Sequence, residues 1–173
     1  AALPKRLIQQ LQRVNSKTKS VESGGRPMAR PIGIYEKATP KHFTWKERLD
    51  FAKELGFDFV EMSVDESDTR LARLEWTKEE RLELIKAIYE TGVRIPTICF
   101  SGHRRYPLGS NDPTLEAKSL ETMKQCIELA QDLGVRVIQL AGYDVYYEEK
   151  SPETRARFIK NLRKACDWAE QAQ

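Results

Sequence analysis

Three times in this chain, a helix-like segment meets a glycine and continues directly into a short apolar stretch. The glycines are Gly56, Gly92 and Gly134, and they recur about 40 residues apart, roughly the length of one strand-plus-helix unit. Glycine suits the left-handed position just past a helix end, and the β-branched runs that follow suit strands buried on both faces. The repeat therefore predicts a parallel α/β sheet, whose functional groups gather at the carboxyl ends of its strands.

Four strand-plus-helix units follow one another from residue 32. The strands are predicted at 32–35, 57–64, 95–100 and 135–141. The helices are predicted at 44–55 and 77–91, and from 112 and 151 onwards. Four such units are half of a (β/α)8 TIM barrel, and half a barrel leaves its first and fourth strands with unpaired edges. We favour half a barrel cut from a longer chain over a half that pairs with another copy or an open four-stranded sheet.

The charge is divided unevenly along the chain. Residues 1–30 contain seven basic residues and one acid, a balance of +6, whereas the remainder contains 22 basic and 25 acidic residues, a balance of −3. The basic segment has no aromatic residue on which a base could stack. We therefore expect residues 1–27 to be a basic extension beside a folded domain at 28–173, and we expect no nucleic-acid partner.

Hydrophobicity and cysteine usage narrow the class of protein further. No apolar run approaches the roughly 20 residues of a membrane helix, so we expect no membrane partner. Cys99, Cys126 and Cys166 are odd in number and lack CxxC spacing. This pattern argues against a disulfide framework and favours a reducing, cytoplasmic location.

Two polar side chains interrupt the apolar strands. Glu61 lies within the second strand and Gln139 within the fourth. A carboxylate in such a position must find a partner or become neutral. We predict that both side chains face one substrate cavity, and the alternative for Glu61 is a structural salt bridge.

The segment after the third strand holds the densest set of candidate ligand-binding groups. His103, Arg104 and Arg105 occur there between glycines. Guanidinium forks suit phosphate, glycine lets backbone N–H groups approach it, and an imidazole can donate to a substrate oxygen. The alternative for the two arginines is that they pair with the acidic loop after the second strand. That loop contains Asp65, Glu66 and Asp68, a charge run that we predict to be solvated.

Two further strand ends carry groups that suit a sugar. Tyr143 and Asp144 begin the loop after the fourth strand, where an aromatic wall beside a carboxyl group is common in sugar sites and also in packing corners. Glu36 follows the first strand and is predicted either to orient a sugar hydroxyl or to lie in a solvated turn. Walker A, GxGxxG, GxSxG and HExxH motifs are all missing from the sequence.

Four blocks of this sequence, in order, resemble one enzyme family. The blocks are Ile34–Ala38, Gly56–Glu66, His103–Ser110 and Val137–Tyr147. They closely resemble the L-ribulose-5-phosphate (L-xylulose-5-phosphate) 3-epimerases of bacterial ascorbate catabolism, which belong to the xylose-isomerase-like barrel superfamily. The similarity extends from about residue 31 to residue 173 and does not include residues 1–27.

The resemblance implies a (β/α)8 barrel, a divalent metal ion and epimerisation at C3 of a ketopentose 5-phosphate. In this family, two glutamates that also bind the metal transfer the proton, and an aspartate and a histidine complete the ligand set. All four belong to later strands, so the resemblance implies no catalytic residue and no metal ligand within this chain, and no turnover by it alone. The residues expected to line the substrate side of the cavity are Glu61, His103, Arg104, Arg105, Gln139 and Tyr143.

Two other functions are compatible with the same residues. The first is a non-catalytic half barrel that binds a sugar phosphate, in the form of a homodimer. The second is an isomerase on the same barrel that moves the carbonyl group of a phosphorylated sugar between C1 and C2.

Overall fold

The computed structural model describes residues 30–172. Four parallel strands form one sheet in the order β1-β2-β3-β4. Their bounds are Gly33–Tyr35 for β1, Phe59–Val64 for β2, Arg94–Phe100 for β3 and Val137–Leu140 for β4. The parallel α/β sheet predicted from the glycine repeat is thereby confirmed, whereas the predicted extension at 1–27 lies outside the described residues.

Five α-helices connect or follow these strands within the described residues. Their bounds are Trp45–Glu54 for α1, Asp68–Leu71 for α2, Lys78–Thr91 for α3, Pro113–Leu133 for α4 and Pro152–Gln171 for α5. Thr44 and Thr77 cap α1 and α3 through complete capping boxes, as the sequence predicts. No helix in the described part of the chain is long and apolar enough to cross a membrane.

The glycines that end the longer helices adopt the backbone conformation expected of them. Gly92 follows α3 with φ of 73° and Gly134 follows α4 with φ of 68°. In both cases the glycine N–H donates to a carbonyl of the last helical turn. An L side chain is strained at such a φ, so these glycines are the reason why each helix turns directly into the next strand.

The two faces of the sheet differ in burial. On the face that packs against the helices, the strands contribute Ile34, Val60, Met62, Ile98 and Phe100, all of which are buried in the core. The opposite face is partly open, and Val137 on it is 52% exposed. The open face is therefore the surface on which polar groups of the strands are accessible.

Two local features differ from the sequence prediction. The pairing of β2 with β3 shifts register between Phe59 and Glu61, next to Pro96, which lacks an N–H for the ladder and is tolerated at such an irregularity. The loop after β2 was predicted to be a solvated acidic loop, but Asp65 is buried and α2 begins at Asp68. The prediction is wrong for Asp65, because this residue pairs at 2.5 Å with Lys37, nearly 30 positions earlier in the chain. Asp68 is exposed, as predicted.

Candidate functional site at the carboxyl ends of the strands

The open face of the sheet carries two rows of polar side chains, each of which runs across neighbouring strands. Glu61 is in register with Thr97, and one level nearer the carboxyl ends Ser63 is in register with Cys99 and Gln139. Glu61 and Gln139 therefore point to the same face, since side chains alternate along a strand. Thr97 donates a hydrogen bond of 3.1 Å to the Glu61 carboxylate. Contact of either residue with a substrate stays a prediction.

A second hydrogen bond crosses this face nearer to its edge. The Tyr35 hydroxyl donates to the Ser63 hydroxyl at 2.9 Å. Burial raises the pKa of Tyr35, and the neighbouring Cys99 thiol adds to this shift, so the phenol stays protonated near neutral pH. Barrel interiors are usually filled with branched apolar side chains. The polar character of this face instead suits hydrogen bonding to a hydrated or hydroxylated ligand.

Arg104 and Arg105 both reach toward the loop after β2. Arg105 Nη1 lies 2.5 Å from the Asp68 carboxylate, and Arg104 Nη1 lies 3.9 Å from the Glu66 carboxylate. This is the pairing with the acidic loop that the sequence analysis kept as an alternative. It does not exclude phosphate as a ligand, because all four side chains remain at least one-third exposed.

Tyrosines from the loop after β4 surround Arg104. Its guanidinium lies over the Tyr146 ring, with Cζ 4.9 Å from the ring centroid. The Tyr147 hydroxyl donates a hydrogen bond of 3.0 Å to the Glu66 carboxylate. The Tyr143 hydroxyl lies beside the guanidinium, and this contact raises the pKa of Arg104. We call Glu66, Arg104, Tyr143, Tyr146 and Tyr147 the mouth cluster. It joins the loops that follow three successive strands.

Three members of the mouth cluster were not predicted from the sequence as site residues. Glu66 was assigned to the solvated acidic loop, and Tyr146 and Tyr147 were included only in the block that carries the family resemblance. Tyr147 is 70% exposed and Tyr146 is 47% exposed. The two tyrosines could have been identified as a pair of adjacent aromatic residues that follow a strand, since aromatic residues are common in binding sites.

His103 is placed differently from the two arginines that follow it. The side chain is 1% exposed. Its ring stacks on the Tyr143 ring with 5.1 Å between the ring centroids, and the centroid of the Phe158 ring of α5 is 5.8 Å away. Its Nε2 lies 3.0 Å from the Tyr143 carbonyl oxygen. A ligand could reach this ring only after Tyr143 or Phe158 moved. The geometry favours a positioning role for His103, and substrate contact stays a prediction.

Acidification is expected to destabilise the wild type more than the His103→Phe variant. Burial lowers the pKa of His103 below its ordinary value of 6.5, and the Tyr143 carbonyl opposes this only in part. Below pH 6.5, His103 binds a proton in the unfolded chain but not yet in the folded protein. The free energy of unfolding is therefore highest above pH 6.5 and falls as the pH drops toward the pKa of His103 in the folded state. Urea unfolding at about pH 7.5 and about pH 5.5 measures this. Equal losses in both proteins would show that His103 does not cause the pH dependence.

The loops after β3 and β4 are held together by hydrogen bonds, both directly and through α5. The Gly109 N–H donates to the Asp144 carbonyl at 3.1 Å, and a Cβ at this glycine would come within 2.5 Å of the Thr154 carbonyl oxygen. Arg157 of α5 donates to the carbonyls of Gly109 and Ser110. The Asp144 carboxylate accepts a hydrogen bond from the Thr154 hydroxyl. Arg104 and the three tyrosines of the mouth cluster therefore lie on two loops that are tied to each other and to α5.

Glu36 does not occupy either of the positions predicted for it. The side chain is fully buried and accepts hydrogen bonds from Arg73 at 2.6 and 3.0 Å, from Arg70 at 3.3 Å and from the Ser63 N–H at 2.7 Å. Burial alone would raise the pKa of Glu36, but Arg73 and the Ser63 N–H outweigh it and lower the pKa. Glu36 is thus a buried ion-pair centre that fixes the loop after β2, and it neither lies in a solvated turn nor faces a sugar.

Side chains that could bind a metal ion are dispersed in the described part of the chain. Among residues 30–172, no three His, Cys, Asp or Glu side chains lie close enough together to hold one. Glu36 and Asp65, the buried carboxylates, are already neutralised by Arg73 and Lys37. The described residues therefore do not fit a metal site.

A family model described as xylose isomerase-like TIM barrel matches residues 49–173. The chain belongs to this family. Its members form closed barrels, so the described sheet is part of a barrel, and the face that carries Glu61 and Gln139 is the inner face of that barrel. The mouth cluster then lies at the carboxyl end of the barrel, where the functional groups of this fold are found.

Curated relatives within the xylose isomerase-like family are similar over the same region. The L-ribulose-5-phosphate 3-epimerase UlaE of Salmonella typhimurium is 59% identical over 143 residues, which are 83% of this chain and 50% of that protein. UlaE of Salmonella dublin matches with the same identity and coverage. The chain spans about half the length of the curated relatives it matches.

Solved structures show the same fold. A D-psicose 3-epimerase crystallised in the presence of D-fructose superimposes with a TM-score of 0.68 at 16% identity, over 82% of this chain and 49% of that one. An L-ribulose 3-epimerase superimposes with a TM-score of 0.59 at 25% identity, over 82% of this chain and 46% of that one. The described part of this chain therefore matches about half of the length of each of these two structures.

Proposed function

We propose that this chain provides half of a sugar-phosphate epimerase that inverts C3 of a ketopentose 5-phosphate, interconverting L-xylulose 5-phosphate and L-ribulose 5-phosphate in the degradation of L-ascorbate. The observation that carries this proposal is the 59% identity over 143 residues with L-ribulose-5-phosphate 3-epimerase UlaE. The small-molecule substrate suits the polar inner face and the two arginines at the mouth.

The reaction defines what the protein must supply. The C3 proton is acidified by the adjacent C2 carbonyl, so one group removes it from one face and another returns a proton to the opposite face. A divalent metal, which the family resemblance implies, would polarise that carbonyl. Because residues 30–172 do not fit a metal site, we assign them no step at the reacting carbon.

The role proposed for this half of the barrel is recognition. Gln139 and Glu61 would hydrogen-bond the sugar hydroxyls from the inner face, while Arg104 and Arg105 would contact the phosphate at the rim. Tyr143 supplies an aromatic wall between these two regions, and His103 holds Tyr143 in place by stacking. We place the protein in the cytoplasm, in keeping with three free cysteines.

A second candidate function is a non-catalytic half barrel that binds sugar phosphate as a homodimer. A groove of about 500 Å³ between α4, β4 and α5 favours it, because apolar side chains such as Met123, Leu140 and Leu162 line this groove. In the described sheet, β1 and β4 each pair on one side only. A stable dimer in size-exclusion chromatography that binds ligand without turnover would favour this candidate.

The 173-residue chain alone is expected to show no epimerase turnover with any added divalent metal. Incubation with L-xylulose 5-phosphate in D2O, followed by NMR, detects both product and exchange of the C3 proton. Turnover would contradict the assignment of recognition alone to these residues. A polypeptide that extends this sequence to a complete barrel is expected to exchange C3 and form L-ribulose 5-phosphate, and an aldose product would instead indicate an isomerase.

A further inference from the structure

The described sheet ends at β4 with an open edge. β4 pairs with β3 and has no second neighbour among the described strands. The backbone N–H and C=O groups along an unpaired edge can form a ladder with a further strand. Such a strand would also cover Val137, which is 52% exposed on the inner face. The β4 edge is therefore a place where a polypeptide can bind.

An apolar groove lies beside this edge, on the helix side of the sheet. Its volume is about 500 Å³. The apolar side chains that line it from β4, α4 and α5 include Met123, Ile127, Ile138, Leu140, Leu162, Ala165 and Ala169. Apart from Cys166, the polar lining side chains are Gln131 and Arg136. This lining is better matched to apolar side chains of a protein than to a sugar or a phosphate.

The edge and the groove form one continuous surface. Ile138 and Leu140 belong to β4 and also line the groove. A strand that paired with β4 would place every second side chain in the groove, because side chains alternate along a strand. On the α5 side, Cys166 and Ala169 are exposed. We call the β4 edge together with this groove the seam.

The similar proteins indicate what occupies the seam. The chain matches 50% of UlaE of Salmonella typhimurium, and it superimposes on 49% of a D-psicose 3-epimerase with a TM-score of 0.68. In a closed barrel, both edges of one half are paired with strands of the other half. The occupant with the right chemistry is therefore a parallel strand, with its helix, from the half that this chain does not match.

A second copy of this chain is a less suitable occupant. Among residues 30–172, no three His, Cys, Asp or Glu side chains lie close enough together to hold a metal ion. Two copies would thus supply two recognition halves. The other half barrel would instead supply the residues that the family resemblance places on later strands.

We infer that the seam binds the second half of a barrel of this family even when that half is a separate polypeptide, so that two chains assemble one enzyme. The inference rests on the proposed function, which identifies the partner. A peptide link between the halves adds an effective concentration, roughly millimolar for a short flexible link, but it adds no contact. The contacts themselves are the β4 ladder and the burial of the groove, and these do not require the link.

The chain offers a matched pair of variants for the test. Ala169→Glu places a charge in the seam, whereas Leu82→Glu places the same charge on α3, where Leu82 is 61% exposed. Each protein is co-expressed with the unmatched half of Salmonella typhimurium UlaE, which is fused to a soluble carrier protein. Analytical ultracentrifugation then measures dissociation of the complex on dilution. We expect Ala169→Glu to weaken association about tenfold or more, because it buries an unpaired charge, and Leu82→Glu to leave it unchanged.

Cys166 provides an independent measurement of the occupied surface. Its thiol is exposed in the seam, whereas the Cys126 thiol is fully buried. Maleimide labelling followed by mass spectrometry reports both residues in one experiment. We expect binding of the UlaE half to slow labelling of Cys166 about tenfold or more. Cys126 is expected to stay unlabelled with and without the partner, which shows that the chain remains folded.

Three results would overturn the inference. They are failure of the wild type to bind the UlaE half, a complex in which Cys166 is labelled as fast as in the free chain, and equal effects of the two variants. Exclusion of the UlaE half by a dimer that protects Cys166 would identify a second copy as the occupant and would also overturn it. A complex that protects Cys166 without epimerase turnover would count against the proposed function and leave the docking surface standing. A single-chain barrel that epimerises although the separate halves do not associate would do the reverse.

Discussion

Replacing Glu36 by alanine is expected to lower the free energy of unfolding by about 3 kcal/mol. The substitution removes the acceptor for Arg73, Arg70 and the Ser63 N–H at once and leaves charged and polar groups unpaired near the core. Breaking a buried ion pair usually costs about 3–5 kcal/mol. We expect the lower end of this range because Arg73 keeps its hydrogen bond to the Ser63 carbonyl and both arginines are slightly accessible to water.

The control is a carboxylate of the same domain that lies at the surface. Asp50 pairs with Lys46 one helical turn away, and both side chains are about half exposed. Asp50→Ala is expected to leave the urea unfolding curve close to that of the wild type, since surface pairs contribute little. A Glu36→Ala variant as stable as Asp50→Ala would mean that the loop after β2 is held without the Glu36 ion pairs.

Replacing Arg104 by alanine is expected to weaken binding of L-ribulose 5-phosphate roughly tenfold while leaving binding of L-ribulose nearly unchanged. The guanidinium is the cationic group of the mouth cluster, its nearest carboxylate is 3.9 Å away, and a charge-assisted hydrogen bond to phosphate is lost with it. Isothermal titration calorimetry with the two sugars measures the difference. The sugar without phosphate reports on the inner face, which this variant does not change.

Arg105→Ala is the matched comparison for this prediction. Arg105 has a similar exposure to Arg104, but its carboxylate partner, Asp68, is at hydrogen-bond distance. We expect a smaller loss of affinity from Arg105→Ala than from Arg104→Ala. Equal losses for phosphorylated and unphosphorylated sugar in the Arg104 variant would show that Arg104 supports the loop and does not contact the phosphate.

The parts of this fold that depend on neighbours in sequence could be predicted well. Capping boxes and the glycines after α3 and α4 act within a few residues, so the starts and ends of those helices follow from local chemistry. The order of apolar runs similarly indicates a parallel sheet. The location of the site at the carboxyl ends of the strands then follows from the fold class rather than from any single motif.

The surroundings that could not be predicted are set by partners distant in sequence. Glu36 is buried because Arg73 reaches it from the far side of the loop after β2, and His103 is buried because Tyr143 and Phe158 close over it. No local pattern around either residue reveals these partners. Gln139, in contrast, points to the inner face as predicted, because strand alternation alone decides its direction.

The recognition role of this half barrel is tested most directly by an NMR titration that follows the Arg104 Nε–H and the Gln139 side-chain amide of the 173-residue chain together. If the mouth and the inner face form the sugar-phosphate recognition half of an epimerase barrel, L-ribulose 5-phosphate shifts both signals along one saturation curve. Inorganic phosphate then shifts only the Arg104 signal, and L-ribulose only the Gln139 signal. If L-ribulose 5-phosphate leaves both signals in place, or shifts only residues at the amino ends of the strands, the account is contradicted.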